Sequence, residues 1–301
     1  MAPAPDRTRL FVTLPMASEP GSDFAMLLRI ARAAEAAGID GLIVTDHVVM
    51  GPDTDAYQWG PFPFPPEDPW LEPLTVLSAL AAVTSRITLA TGILIAPLRP
   101  APLLAKTVAT IDALAPGRVE LGVGTGWQAI EFEASDLTFE ERGQQLDRVI
   151  ENCRALWGQQ PATVHTRGGT VNDVWCVPTP RGPSVSFSGT LTARNIRRIV
   201  RWGDGWIPIM GSAPRAVAEG IDRLGAALRS AGRDPSTIRI RVPVPSRSRD
   251  GALISLDAAF DGVGALVDAG VNDVSVPGGR FGVGNEPERW CEAVATRWSK
   301  R

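Results

Sequence analysis

The chain has 301 residues, 44% of them hydrophobic and 21% charged, with a formal net charge of −3. That is apolar material for one large α/β domain or two small ones, and the near-neutral balance excludes the basic field that nucleic-acid and membrane-surface binders carry. Three widely spaced cysteines with no CxxC pair argue against a disulfide framework and a cysteine zinc site.

The first residues, MAPAPDRTRLFVTLP, offer no apolar stretch ahead of their charges, so no signal peptide is expected. The longest apolar run, 87–98, is too short to span a bilayer. The cytoplasm is the expected location, with neither membrane nor nucleic acid as a partner.

Strand-like and helix-like segments then alternate along the chain. LFVTLP (10–15) is β-rich, and DFAMLLRIARAAEAAG (23–38) follows with helical spacing and a glycine stop. GLIVTDHVV (41–49) is the second strand. LTVLSALAAVTS (74–85) reads as a helix, ITLATGILIAP (87–97) as a strand and PLLAKTVATIDALAPG (102–117) as a helix closed by Pro-Gly. RVELGVGTG (118–126) runs into glycines, and EERGQQLDRVIENCRALWG (140–158) is strongly amphipathic. Four further pairs follow: 183–189 with 191–203, 204–211 with 214–232, 238–245 with 256–270, and 271–279 with 286–300.

Eight strand–helix units are the number that closes a parallel (β/α)8 TIM barrel. A doubly wound open sheet would need a switch point that this order does not offer. No linker divides the chain, so residues 1–301 are read as a single domain. Insertions follow strands two and four. Residues 50–73 are rich in proline and hold the only tyrosine with two tryptophans and two phenylalanines, and 159–182 carries His165, one of only two histidines. Long loops in compact domains are functional or disordered, and the aromatics of 50–73 argue for the first.

A barrel of this kind builds its site from the C-terminal ends of the strands. The candidates are therefore Asp46 and His47 after strand two, Thr91, Gly92 and Ile93 in strand three, and Gly122, Gly124, Gly126 and Trp127 at strand four. Ser188, Gly189 and Thr190 end strand five, Met210, Gly211 and Ser212 follow strand six, and Gly278, Gly279 and Arg280 follow strand eight. His47 reads equally as a titratable group at a barrel mouth and as a histidine satisfied by a backbone carbonyl. Asp46 reads also as a cap for local amides. The glycines of GVGTGW either let a flat ligand approach or let the strand turn; their spacing is neither a P-loop nor a dinucleotide fingerprint. Arg280 reads as an anion ligand or a solvated charge.

Two histidines cannot supply the ligand cluster of a metal-dependent barrel hydrolase. No nucleophile elbow is present, and the cysteines lack a nearby histidine. Strand ends rich in small residues and poor in catalytic side chains suit a site where a cofactor carries the chemistry.

The run ITLATGILIAPLRPAPLLAKTVATIDALAPGRVELGVGTGWQAIEFEA (87–134), the T-D-H after strand two and the later ARNIRRIVRWGDGW together resemble the bacterial luciferase-like family, in the branches that use the deazaflavin coenzyme F420. The resemblance implies a TIM barrel with an insertion before strand five, and a deazaflavin or FMN bound at the strand ends. It places a non-prolyl cis peptide at Gly92-Ile93 behind the ring. Asp46 and His47 would lie beside the ring, with Thr91, Gly124 and Gly126 in the same cofactor site, and Ser188, Gly189, Met210 and Gly211 near the phosphate. It implies proton transfer by His47, a lid over 50–73 with Trp59, Trp127 and Arg280 in the substrate pocket, and a homodimer.

Departures from the pattern are SVSFSG at strand five, Gln128 where asparagine is common, and IMGSAP without a lysine to clamp a sugar phosphate. The expected activity is hydride transfer between F420 and a small apolar or natural-product-like substrate. The alternatives are a reduced-FMN monooxygenase and a barrel that binds flavin without turnover.

Overall fold

The computed structural model describes residues 7–16, 23–58, 62–246, 252–283 and 286–300. The first half runs β1 (Arg9–Thr13), α1 (Met26–Ala36), β2 (Gly41–Val44), α2 (Pro73–Val83), β3 (Thr88–Ile95), α3 (Ala101–Leu114), β4 (Val119–Gly124), α4 (Ala129–Glu133) and α5 (Arg142–Trp157). A hairpin, β5 (Ala162–Thr166) and β6 (Gly169–Val174), leads to β7 (Ser184–Ser188), α6 (Ala193–Trp202), β8 (Gly205–Ile207) and α7 (Pro214–Ser230). The chain closes with β9 (Arg239–Pro243), α8 (Leu256–Asp261), α9 (Val263–Asp268), β10 (Asp273–Pro277) and α10 (Pro287–Ser299). Strands β1, β2, β3, β4, β7, β8, β9 and β10 form a closed barrel in chain order, and every neighbouring pair is parallel. The eight-stranded architecture expected from the alternation is the observed one.

Local chemistry sets the element ends. Gly38, at φ +79°, takes the left-handed conformation after α1, which a side chain would oppose. Glu72 accepts the Thr75 N–H at 2.7 Å and Pro73 occupies the first turn of α2. Thr192 and Ser255 cap α6 and α8 in the same way. Two expectations are refined. Residues 159–182 hold the β5–β6 hairpin, antiparallel and packed on α5. The helix expected over 256–270 is two short ones meeting at Gly262.

Strand alternation sorts side chains onto two faces. Leu10, Val12, Leu42, Val44, Leu89, Leu121, Val123, Val185 and Val274 join the helices in one large buried core, while Phe11, Ile43 and Ala90 form a separate small cluster in the barrel lumen. Phe11 fills that lumen because its neighbour is glycine: a Cβ on Gly41 would lie 2.1 Å from Phe11 Cε1. Below Phe11, toward the N-terminal strand ends, the lumen holds Arg9, Glu120, Arg241 and Asp273. Above it, the last lumen-facing positions of β3, β4 and β7 are Gly92, Gly124 and Ser188. A bulky plug thus lies beneath, and above it small residues alternate with the isoleucines Ile43, Ile93 and Ile207 that pack over them.

Candidate functional site at the C-terminal mouth of the barrel

At the end of β2 the chain places Asp46 and His47, both buried. Asp46 is committed twice over. Arg99 reaches it with Nη1 at 2.6 Å from Oδ2 and Nη2 at 3.0 Å from Oδ1, and Oδ2 also accepts the Ile95 N–H at 2.8 Å. Arg99 also donates to Glu72 Oε1 at 2.8 Å. One guanidinium therefore locks the end of β2 to the end of β3 and the start of α2, using the fork geometry that suits arginine to carboxylates. Burial alone would weaken the basicity of Arg99, but Asp46 and then Glu72 more than reverse this and hold its pKa above the ordinary value. For Glu72, burial pushes upward, and the Thr75 N–H and Arg99 bring the carboxyl below its usual range. With both oxygens engaged inside the protein, Asp46 acts here as a brace.

His47 faces Glu131, whose side chain is fully buried: Nδ1 lies 3.1 Å from Oε2. Glu131 Oε1 accepts the Val48 N–H at 2.9 Å. A carboxylate offers only acceptors, so Nδ1 carries the proton toward it, and a neutral imidazole then presents Nε2 as an acceptor. The histidine is thus oriented by a carboxylate in the manner of nucleophile-and-base sites, and the backbone-carbonyl reading of His47 gives way to it. Glu131 was visible only as a letter in EFEA. On the five-residue α4 it reads as a solvent-facing charge until the fold turns it inward.

Aromatic side chains roof the histidine. Trp70, Phe62 and Trp127 approach its ring edge-on, with centroids at 4.7, 5.6 and 5.8 Å. Tyr57 packs on both Phe62 and Trp127, and Phe64 on both Phe62 and Trp70. Edge-to-face contacts at these separations are favourable beyond the area they bury. Gln128 holds the roof down: its Oε1 accepts the Gly51 N–H at 3.0 Å, and its Nε2 donates to Asp53 O at 3.2 Å. The residue that departs from the family pattern thereby pins the aromatic segment to β4. Trp59 lies outside the described residues, and so does the side chain of Arg280.

The floor is built by glycines. The Gly92-Ile93 peptide is cis, and the β3–β4 register shifts between Gly92 and Leu94. Ile93 packs over the lumen-facing Gly124, where a Cβ would come 2.8 Å from its Cδ1. Gly126 takes the left-handed conformation at φ +73°, and a Cβ there would lie 2.8 Å from Ile95 Cγ2. Thr91 does not share the floor. Strand alternation points it outward, fully buried, with Oγ1 donating to Gly122 O at 2.8 Å; its side chain stitches β3 to β4 beneath the mouth. A Cβ on Gly122 would meet Thr91 O at 2.4 Å, so that stitch requires glycine.

Across the mouth, Gly189 adopts φ +109° and accepts the Trp206 Nε1–H at 2.8 Å. Asn195 donates through Nδ2 to Ser188 O and Thr190 O, both at 3.2 Å, while its buried Oδ1 has no partner among the described residues. Gly211 sits at φ +82° beside Met210, which is 58% exposed on the rim. Ser188, Gly189, Met210 and Gly211 thus sit at or beyond the ends of β7 and β8.

Other chemistries find little support. Among the described residues no group of three His, Cys, Asp or Glu is arranged to hold a metal ion, and no helix is long and apolar enough to cross a membrane. All three cysteines are buried. Burial raises the Cys153 thiol far above its ordinary value and pushes Cys291 up to about 12, which leaves them protonated and unreactive.

Comparison with known proteins places this geometry in context. The model of the family described as luciferase-like monooxygenase matches residues 9–252. An uncharacterized protein of Mycobacterium tuberculosis is 30% identical over 268 residues, covering 86% of this chain and 87% of that protein. The F420-dependent glucose-6-phosphate dehydrogenase of Segniliparus rotundus is 32% identical over 234 residues, covering 72% of this chain and 64% of its own length. Two solved structures share the fold at low identity. An F420-dependent secondary alcohol dehydrogenase, in complex with an F420–acetone adduct, has a TM-score of 0.70 at 17% identity, covering 92% of this chain and 97% of its own. A monooxygenase from Streptomyces bottropensis has a TM-score of 0.74 at 19% identity, covering 97% of this chain and 98% of its own.

Proposed function

The chain belongs to the luciferase-like monooxygenase family, and from its site we propose that it is an F420-dependent oxidoreductase acting on a small apolar, natural-product-like substrate. The observation that carries the reading is the His47–Glu131 pair, set beside a glycine floor and under an aromatic roof. A reaction that moves a hydride to or from a carbon–oxygen centre must also move a proton, and this pair supplies a positioned proton carrier at the strand ends.

The residues present fit a flat ring. Gly92 and Gly124 carry no side chain, and Ile43 and Ile93 pack into the space a Cβ there would take, giving an apolar surface. Ser188, Gly189, Met210 and Gly211 would lie toward the phosphate end, and Gly126 beside the ring. Bound there, the deazaflavin supplies or accepts the hydride. Glu131 keeps the His47 Nδ1–H in place, so Nε2 is the atom that takes or returns the proton at the substrate oxygen. Phe62, Trp70 and Trp127 exclude water and offer apolar surface to the substrate, with Trp59 and Arg280 as further pocket candidates. Asp46 and Glu72 engage both terminal nitrogens of Arg99, so its guanidinium serves the scaffold at the foot of the pocket.

A reduced-FMN monooxygenase is the second reading, favoured by the family description and by the same water-excluding roof. Exchange of His47→Ala tests the first. Single-turnover hydride transfer is expected to fall by about 10²–10⁴-fold while cofactor affinity stays within a small factor. Unchanged turnover would remove the proton role from His47.

A further inference from the structure

The lower end of the barrel lumen holds an imbalance of charge that the site at the mouth does not use. Three guanidiniums, Arg9, Arg239 and Arg241, meet two carboxylates, Glu120 and Asp273. The carboxylates are heavily engaged. Glu120 Oε1 accepts Arg9 Nη1 at 2.8 Å, and Oε2 accepts Arg9 Nη2 and Arg241 Nη2. Asp273 Oδ1 accepts Arg9 Nε at 2.8 Å and Arg239 Nε at 3.0 Å, and its Oδ2 accepts Arg9 Nη2 at 2.8 Å.

Three donors remain. Nε and Nη1 of Arg241 and Nη1 of Arg239 are buried without a partner among the described residues, and Arg241 is only 4% exposed. The two arginines lie two residues apart on β9, so their side chains share one face. Both contact Asp273. The ring of Phe11 seals the layer from above, 4.2 Å from Arg241 Cζ and 4.9 Å from Arg9 Cζ.

A buried layer with one more positive than negative charge, and with N–H groups left over, is costly and persists only when something compensates it. A water molecule could accept from the orphaned N–H groups, but it would bring two hydrogens of its own to a layer whose carboxylates are already crowded with donors. A group that only accepts resolves both the donor excess and the charge excess. We propose that Arg239 and Arg241 hold one small monovalent anion, a halide, in the N-terminal end of the barrel. Close packing beneath Phe11 favours a monatomic ion over a carboxylate. Entry is from the lower opening, where the Arg9, Arg239 and Glu120 side chains keep partial exposure.

Two measurements on the whole protein test this. In thermal unfolding at constant ionic strength, replacing sodium gluconate stepwise by sodium bromide is expected to raise Tm saturably, by about 2–4 °C at ten times the half-saturating concentration. Crystals grown in bromide are expected to show an anomalous peak within hydrogen-bonding distance of Arg239 and Arg241. The variant Arg241→Met, which removes the excess charge and two orphaned donors, is expected to lose the bromide response. Should that variant fail to fold, diffraction from the unaltered protein decides alone. Equal Tm in bromide and gluconate, or no anomalous peak at the two arginines, would overturn the site.

Discussion

Replacing Glu131 by glutamine isolates what its carboxylate does for His47. The wild-type carboxylate has two acceptors in use, Oε1 for the Val48 N–H at 2.9 Å and Oε2 for His47 Nδ1 at 3.1 Å. Glutamine keeps the shape but offers one oxygen and one NH₂ group. The Val48 amide cannot change its role, so it retains the oxygen, and the NH₂ group turns toward Nδ1. His47 must then accept at Nδ1 and carry its proton on Nε2, the reverse of the wild-type tautomer. In stability the exchange of a charge-assisted for a neutral hydrogen bond costs about 1 kcal/mol. In turnover it removes the acceptor at Nε2, worth about 10²–10⁴-fold. The chain contains two histidines, so 15N-labelled histidine gives a two-residue spectrum in which long-range couplings read each tautomer directly. His165, exposed on the hairpin near Thr170, serves as the internal reference. A wild-type His47 already protonated at Nε2, or a tautomer unmoved in Glu131→Gln, would refute the positioning role.

Other outcomes follow from the same geometry. Arg99→Met strands the buried Asp46 carboxylate and is expected to cost about 3–5 kcal/mol in urea unfolding; a loss under 1 kcal/mol would show that the brace is dispensable. Gly122→Ala places a Cβ against the Thr91 carbonyl and should cost about 1–3 kcal/mol. Gly124→Ala meets the Ile93 side chain and no backbone atom among its nearest contacts, so it should cost less stability than Gly122→Ala and weaken cofactor binding; equal stability losses in the two would undo the division between floor and stitch. Burial alone would raise the Asp273 carboxyl, but hydrogen bonds from Arg9 and Arg239 and the charge of Arg241 hold it below 3.8. Its contribution is therefore complete above that ordinary value and is lost as pH falls through the lower folded one. The urea midpoint should hold down to about pH 4 and drop in more acidic solution; a decline already complete by pH 5 would point to other groups.

The barrel was legible because its signals are local and repeated. Alternating apolar periods, glycine after α1 and proline at the start of α2 each act within a few residues, and eight repetitions leave little choice of topology. The mouth was legible in outline, because strand ends fall where the strands stop. His47, Trp127, Gly92-Ile93 and the glycine clusters all lie there. What remained hidden depends on side chains meeting across the fold. Glu131 is 84 residues from His47 in sequence, and nothing in a short acidic helix announces which way it turns. Asp46 stands beside His47 in the chain, yet its partner Arg99 is 53 residues away, so its bracing role shows only in the fold. Strand parity separates Thr91 from its neighbour: Gly92 faces the lumen, whereas the Thr91 hydroxyl bonds Gly122 O inside the wall. The charged layer under Phe11 did leave a trace: arginine and acidic residues at alternate positions inside otherwise apolar strands, as in RIRVP and VELGVG.

The central claim is that the mouth of this barrel is shaped for a deazaflavin. Fluorescence titration of the purified protein with F420, its reduced form, FMN and reduced FMN, under identical anaerobic conditions, tests it most directly. The account predicts saturable binding of F420 in at least one redox state, at least about tenfold tighter than FMN, a difference of roughly 1.4 kcal/mol. Tighter binding of FMN, with F420 leaving the signal unchanged, would contradict it and shift the chemistry of the site to oxygen.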